Sequence, residues 1–113
     1  MNIQKIQSYS QNPSFGSVTI NPNVVTSISP ENAIKLAHDI EPLEKLSDAT
    51  NIDFNFGCRE LNGDQVIICS ATKKSGNPNI FGSDSIACNS LQFNLIKLAQ
   101  NAMKSLSKSV KLY

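Results

Sequence analysis

Four side chains in this 113-residue chain have the chemistry of nucleophiles or metal ligands: Cys58, Cys69, Cys88 and the single histidine, His38. Nucleophilic catalysis needs a thiol beside a base that takes its proton, and a third group that orients the base. A structural zinc site needs four such ligands, usually with paired cysteines two or so residues apart. The intervals between these cysteines contain no such knuckle. Helical spacing sets His38 opposite the stripe of Ala33, Leu36 and Ile40, so its ring is expected in solvent. Cys58 and Cys69 fall on the inward face of a predicted hairpin, where a thiol is inert. These residues therefore predict no catalytic site, no metal site and no cofactor, and an enzyme with a Cys nucleophile comes last among the readings.

The carboxylates give no clearer chemistry. Asp39, Glu41 and Glu44 lie close together on a predicted helix, but lysines are interspersed and the face reads as solvated. No phosphate-binding loop is present, because Gly63, Gly76 and Gly82 read as turn glycines and none is followed by Lys-Ser or Lys-Thr. A repeated phrase, Asn-Pro then Phe-Gly-Ser, occurs at 12–17 and 77–83. It reads as two turns made alike, with Asn starting the bend, Gly permitting it and Phe dropping into the core. The segments 32–40 and 94–102 share Ile-Lys-Leu-Ala, which leaves a duplication open and falls short of the three repeats a solenoid needs.

Two surface features carry more. Lys97, Lys104, Lys108 and Lys111 form one stripe on a predicted C-terminal helix, the candidate contact for nucleic acid. Such a stripe neutralises about two to four phosphates, which makes a weak and salt-sensitive binder. Phe93, Ile96, Met103 and Val110 extend the apolar arc of the same helix beyond its core stripe. An apolar shoulder of this kind marks a candidate partner interface, most simply with a second copy of the chain.

The elements that must position these residues are readable in outline. Residues 1–14 are polar and aperiodic and predict a mobile tail ahead of a single domain over 15–113. A short strand is expected at 15–20, with the β-branched run 24–28 continuing it or forming another. Ser29, Pro30 and Glu31 make a helix start, and Ala33, Leu36, Ala37, Ile40 and Leu43 give its inward stripe. Pro42 predicts a kink, since it removes the bond to the His38 carbonyl. Over 51–74, two alternating runs flank Asn62-Gly63, the preferred type I′ hairpin turn. Centring the turn there pairs Cys58 with Ile67, Phe56 with Cys69 and Phe54 with Ala71 on one face. Asn55, Arg59, Ser70 and Thr72 take the other face, where Val66 and Ile68 form a modest patch or the floor of a contact. A loop over 75–85 and a helix over 86–110 complete the chain, the latter with Leu91, Leu95, Leu98, Ala99, Ala102 and Leu106 inward.

The expectation is an α+β domain, a small two-layer sandwich of order β-α-β-β-α with both helices on one face of the sheet. Net charge is +1, which says little about partners. The distribution is uneven: residues 31–64 hold eight acids against three bases, and 65–113 hold six lysines against Asp84. Asn and Ser, at 13 and 15, make the chain rich in turns. No apolar run approaches the ~20 residues of a membrane span, and the N-terminal residues lack a secretory leader. With an odd number of cysteines, this points to the cytoplasm. The function expected is a non-enzymatic protein-interaction module, self-associating as a homodimer, with weak nucleic-acid binding as the rival.

Overall fold

Asn62 and Gly63 both adopt positive φ, at 53° and 86°, and close a two-residue turn between two ten-residue strands. The computed structural model describes residues 14–15, 18–74, 76–77 and 79–112, with backbone alone at 14–15 and 109–112. Its elements are β1 (Ser14–Phe15), β2 (Val18–Ile20), α1 (Pro22–Ser27), α2 (Pro30–Thr50), β3 (Ile52–Leu61), β4 (Asp64–Lys73), β5 (Gly82–Ala87) and α3 (Leu95–Leu112). The five strands form one sheet in the order β1-β2-β3-β4-β5. Only the β2–β3 pair is parallel, and the helical connection between them supplies the long crossover that parallel pairing needs.

The β3–β4 register is the expected one, with Phe54 opposite Ala71, Phe56 opposite Cys69 and Cys58 opposite Ile67. Phe54, Phe56, Ile67, Cys69 and Ala71 are buried beneath the helices. α2 and α3 touch each other and both pack on the sheet, so the α+β two-layer arrangement holds. Leu43, Val18, Val24 and Leu95 are also fully buried. Each large apolar side chain so buried contributes roughly 1.5–3 kcal/mol. The molecule measures 42 × 36 × 20 Å, a plate two layers thick.

α2 starts as its sequence requires. Ser29 Oγ accepts from Asn32 N at 3.2 Å, Pro30 takes the first turn and Asn51 ends the helix at φ 59°. The helix runs through Pro42 unbroken. Leu36 and Leu43 are buried, Ala33 and Ile40 are half-buried, and Ala37 is exposed, contrary to its expected place in the inward stripe. Ser47 is fully buried and its hydroxyl donates to the Ile52 carbonyl.

Several local expectations are corrected. Residues 24–27 are helical, not extended. Asn21 Oδ1 accepts from Asn23 N at 3.0 Å and Pro22 sits in the first turn, and this cap outweighs the β-branched composition. The C-terminal helix begins at Leu95, and 82–87 form the strand β5. Leu91 therefore lies before the helix and is 89% exposed. Gly82 is no turn glycine: it pairs with Ala71 directly under α3. Phe81 is 51% exposed, where the turn reading had it in the core. Ser14, expected in the tail, lies in β1; residues 1–13 fall outside the described residues.

One polar seam ties β5 to α3 through α2. Asn32 is 3% exposed and its Nδ2 donates to the carbonyls of Cys88 at 2.9 Å and Ser90 at 3.2 Å. One turn on, Lys35 Nζ donates to the Leu91 carbonyl at 3.4 Å. A further turn on, Asp39 faces the start of α3, where the Leu95 N–H acts to lower its carboxyl pKa against the burial that raises it. Positions 32, 35 and 39 share one helical face, so a single side of α2 fixes the whole connection.

Candidate functional site

Both helices lie on one side of the sheet, which leaves its other side uncovered among the described residues. Strand alternation decides what that side presents. Since Ile52, Phe54 and Phe56 point to the helices, Asp53, Asn55, Gly57 and Arg59 point away. Pairing sets Thr19 and Ser70 beside Asn55, with Ser83 beyond; Ile68 and Ser85 lie beside Gly57, and Val66 and Ala87 beside Arg59.

The surface is concave, with a depression of about 650 Å³ lined by Thr19, Asn55, Gly57, Arg59, Ile68 and Phe81, among others. Gly57 opens it: a Cβ built there would meet nothing within 4 Å. Phe81 walls one side. Ile68 and Val66 are half-buried, the floor that hairpin alternation anticipates. Arg59 and Asp53 stand on the same face six residues apart, and neither forms an ion pair among the described residues.

The partner interface expected on the C-terminal helix is only partly available. Phe93 is 3% exposed and is removed from that surface. It precedes the helix, so helical phase does not set its direction, and it turns into the core. Ile96 and Met103 are half-buried against the chain's own core. The side chain of Val110 lies outside the described residues, as does that of Lys111. Lys97, Lys104 and Lys108 are exposed and lie along one side of α3 by their spacing.

The residues with nucleophilic chemistry are dispersed. His38 is exposed on α2. Cys69 is fully buried, and burial, with the nearby Asp84 charge adding to it, pushes its thiol far up from the ordinary range. Cys58 departs from expectation in being half-buried, and its Sγ lies 3.7 Å from that of Cys88. No group of three or more His, Cys, Asp or Glu that could hold a metal ion occurs among the described residues. No helix among them is long and apolar enough to cross a membrane.

Phe81, Thr19 and Ser83 were not anticipated as surface-site residues. Their placement depends on β5 pairing with β4 and β2 pairing with β3, contacts that leave no local signature. Comparison of the chain with family models, curated proteins and solved structures finds no match.

Proposed function

We propose that the chain is a non-enzymatic protein-interaction module that self-associates, and that its contact surface is the uncovered face of the sheet. One observation carries this reading: among the described residues, Asp53 and Arg59 sit without ion-pair partners toward opposite ends of one strand on that face. A closed pair built on a two-fold axis needs a self-complementary surface. An axis crossing β3 at Phe56 brings Arg59 of each copy over Asp53 of the other. The two charges are about 20 Å apart along the strand at ~3.3 Å per residue, so each ionic contact lies near a different end of the interface. The same rotation sets the bulky Phe81 over the small Ala87 of the partner subunit. Sheets packed this way stack about 10 Å apart with their inner side chains interdigitated. Three reduced thiols fit a reducing compartment such as the cytoplasm.

Light scattering and sedimentation equilibrium test the reading. Wild type is expected as a dimer that dissociates on dilution. Arg59→Asp and Asp53→Arg each weaken it, and the double exchange restores it, because only the double variant re-pairs the charges across the axis. Ile96→Glu serves as contrast: Ile96 packs on its own core, so the change lowers stability and leaves association of the folded chain intact. A wild type that stays monomeric at high concentration overturns the proposal. So does a dimer indifferent to both charge reversals. The rival, a nucleic-acid surface on α3, rests on the exposure of Lys97, Lys104 and Lys108. It requires salt-dependent binding that Lys104→Ser with Lys108→Ser abolishes.

A further inference from the structure

Among the described residues, Cys58 and Cys88 form a close pair of thiols. Their sulfurs are 3.7 Å apart. Both positions are held from outside. The Asn23 carboxamide brackets Cys58, accepting from its N–H at 3.3 Å and donating to its carbonyl at 3.4 Å. Cys88 donates its N–H to the Gln65 carbonyl at 3.0 Å, while Asn32 holds its carbonyl. The two thiols differ in access: Cys58 is half-buried and Cys88 is 2% exposed.

We propose that Cys58 and Cys88 form a reversible dithiol–disulfide couple whose oxidant is a low-molecular-weight disulfide of the glutathione type. Cys58, the accessible thiol, reacts first. Its thiolate attacks one sulfur of the small disulfide, breaks that S–S bond and expels a small thiolate, which takes up a proton. Cys88 then gives up its proton and attacks the Cys58 sulfur of the mixed disulfide. The new Cys58–Cys88 bond forms as the second small thiol leaves. Two cysteine thiols are oxidised by two electrons, one small disulfide is reduced to two thiols, and the two cysteine protons end on those thiols.

The geometry sets where the protein must yield. A disulfide needs its sulfurs at about 2.05 Å, so they must approach from 3.7 Å. β4 lies between β3 and β5, which makes backbone movement necessary as well. Cys88 is the first residue beyond β5, in the turn that leaves the sheet, and for it to shift, its hydrogen bonds to Gln65 and Asn32 must loosen. The second step is expected to be slow. Burial, then the hydrogen bond and charge of Cys58, push the Cys88 thiol up to about 11. In the mixed disulfide the burial of Cys88 remains while the hydrogen bond and charge of the Cys58 thiol are gone; the nucleophile is the thiolate, so closure speeds up as pH rises.

The test incubates the full chain with oxidised glutathione, quenches with acid, labels free thiols in denaturant and maps them by mass spectrometry. Wild type is expected to lose two hydrogens and keep one labelled thiol, at Cys69. Cys88→Ser stalls as a mixed disulfide on Cys58, and Cys58→Ser leaves Cys88 unmodified. The rate of closure in wild type rises with pH between 7 and 9. Wild type that retains three labelled thiols, stops at the mixed disulfide or forms cystine only between chains overturns the proposal. The wild-type measurement decides by itself if either variant fails to fold.

Discussion

Replacing Gly82 by Ala is the severest small change this structure offers. A Cβ at Gly82 would overlap the Ala102 carbonyl oxygen and the Leu106 nitrogen, and would lie 2.7 Å from Leu106 Cα. All three are main-chain atoms of α3, so no side chain can rotate away. Carbon atoms rest at about 3.5–4.0 Å, and the helix must withdraw by about 1 Å to admit the methyl group. Overpacking of this kind costs about 1–3 kcal/mol by itself. Withdrawal also opens a gap beneath Leu98, Ala99, Ala102 and Leu106, all buried, and a gap of 0.5–1 Å forfeits about a quarter to a half of each contact. The total is expected at about 3 kcal/mol or more. For a chain of this length that is a fall in Tm of roughly 10–15 °C. Thermal unfolding followed by circular dichroism at fixed concentration measures it. Gly57→Ala, whose Cβ meets nothing of its own chain within 4 Å, is the internal control when both are melted at a dilution where the chain is monomeric, and it should leave the Tm nearly unchanged. Adding Ala102→Gly to Gly82→Ala should give no rescue, since the obstructing atoms remain. A Tm for Gly82→Ala within about 2 °C of wild type would show that α3 does not rest on β5 as described.

Two other expectations concern the turn and the α2 seam. Gly63→Val forces a β-branched residue to φ 86°, and a loss of about 1 kcal/mol or more is expected from urea unfolding; an unchanged midpoint would contradict the type I′ turn. Burial raises the Asp39 carboxyl above its ordinary 3.8, against the lowering effects of the Leu95 N–H, His38 and Lys35. The native state therefore binds more protons than the unfolded chain from that ordinary value up to the raised one, and this group's contribution to stability falls as pH rises through that window. Asp39→Asn keeps an acceptor for the Leu95 N–H, so the variant should gain on wild type across that window in pH-dependent melts; a wild type that gains instead would refute it.

Where the sequence was legible, the signal was local. The hairpin could be placed residue by residue because Asn62-Gly63 admits one common turn and alternation then fixes ten pairs. The start of α2 was equally plain in Ser29-Pro30-Glu31. The sheet's outward residues followed from the same alternation, which is why Asn55, Arg59, Val66 and Ile68 were placed correctly. The failures arose where non-local contact decided. β5 has the sequence Gly-Ser-Asp-Ser-Ile-Ala, with no apolar alternation, and its strand state comes from pairing with β4. The composition of 75–85 reads as loop with a helix from 86, and carrying the helical phase back to that point misplaced Leu91 and Phe93. Phe81 was sent inward because aromatic residues usually are; the inward position beside it belongs to Gly82, and alternation turns Phe81 out. The run 22–27 is the opposite case: the Asn21-Pro22 cap is a local signal for helix, and it overrides the β preference of Val24, Val25 and Thr26.

Among the described residues the sheet is open at both ends, and this bears on how large an assembly can become. A free strand edge is a template for another chain, and repeated edge pairing gives fibres. β1 offers an edge of only two residues. β5 offers six, but Asp84 points from it toward the helix layer, where Asn101 Nδ2 donates to its Oδ2 at 3.0 Å. A chain adding at that edge would have to lie beside an inward-pointing carboxylate and conform to a strand clamped beneath α3 at Gly82. Growth in the plane of the sheet is thereby discouraged at one end by brevity and at the other by charge. Stacking across the plane consumes the one uncovered face of each copy, so association of this kind stops at two.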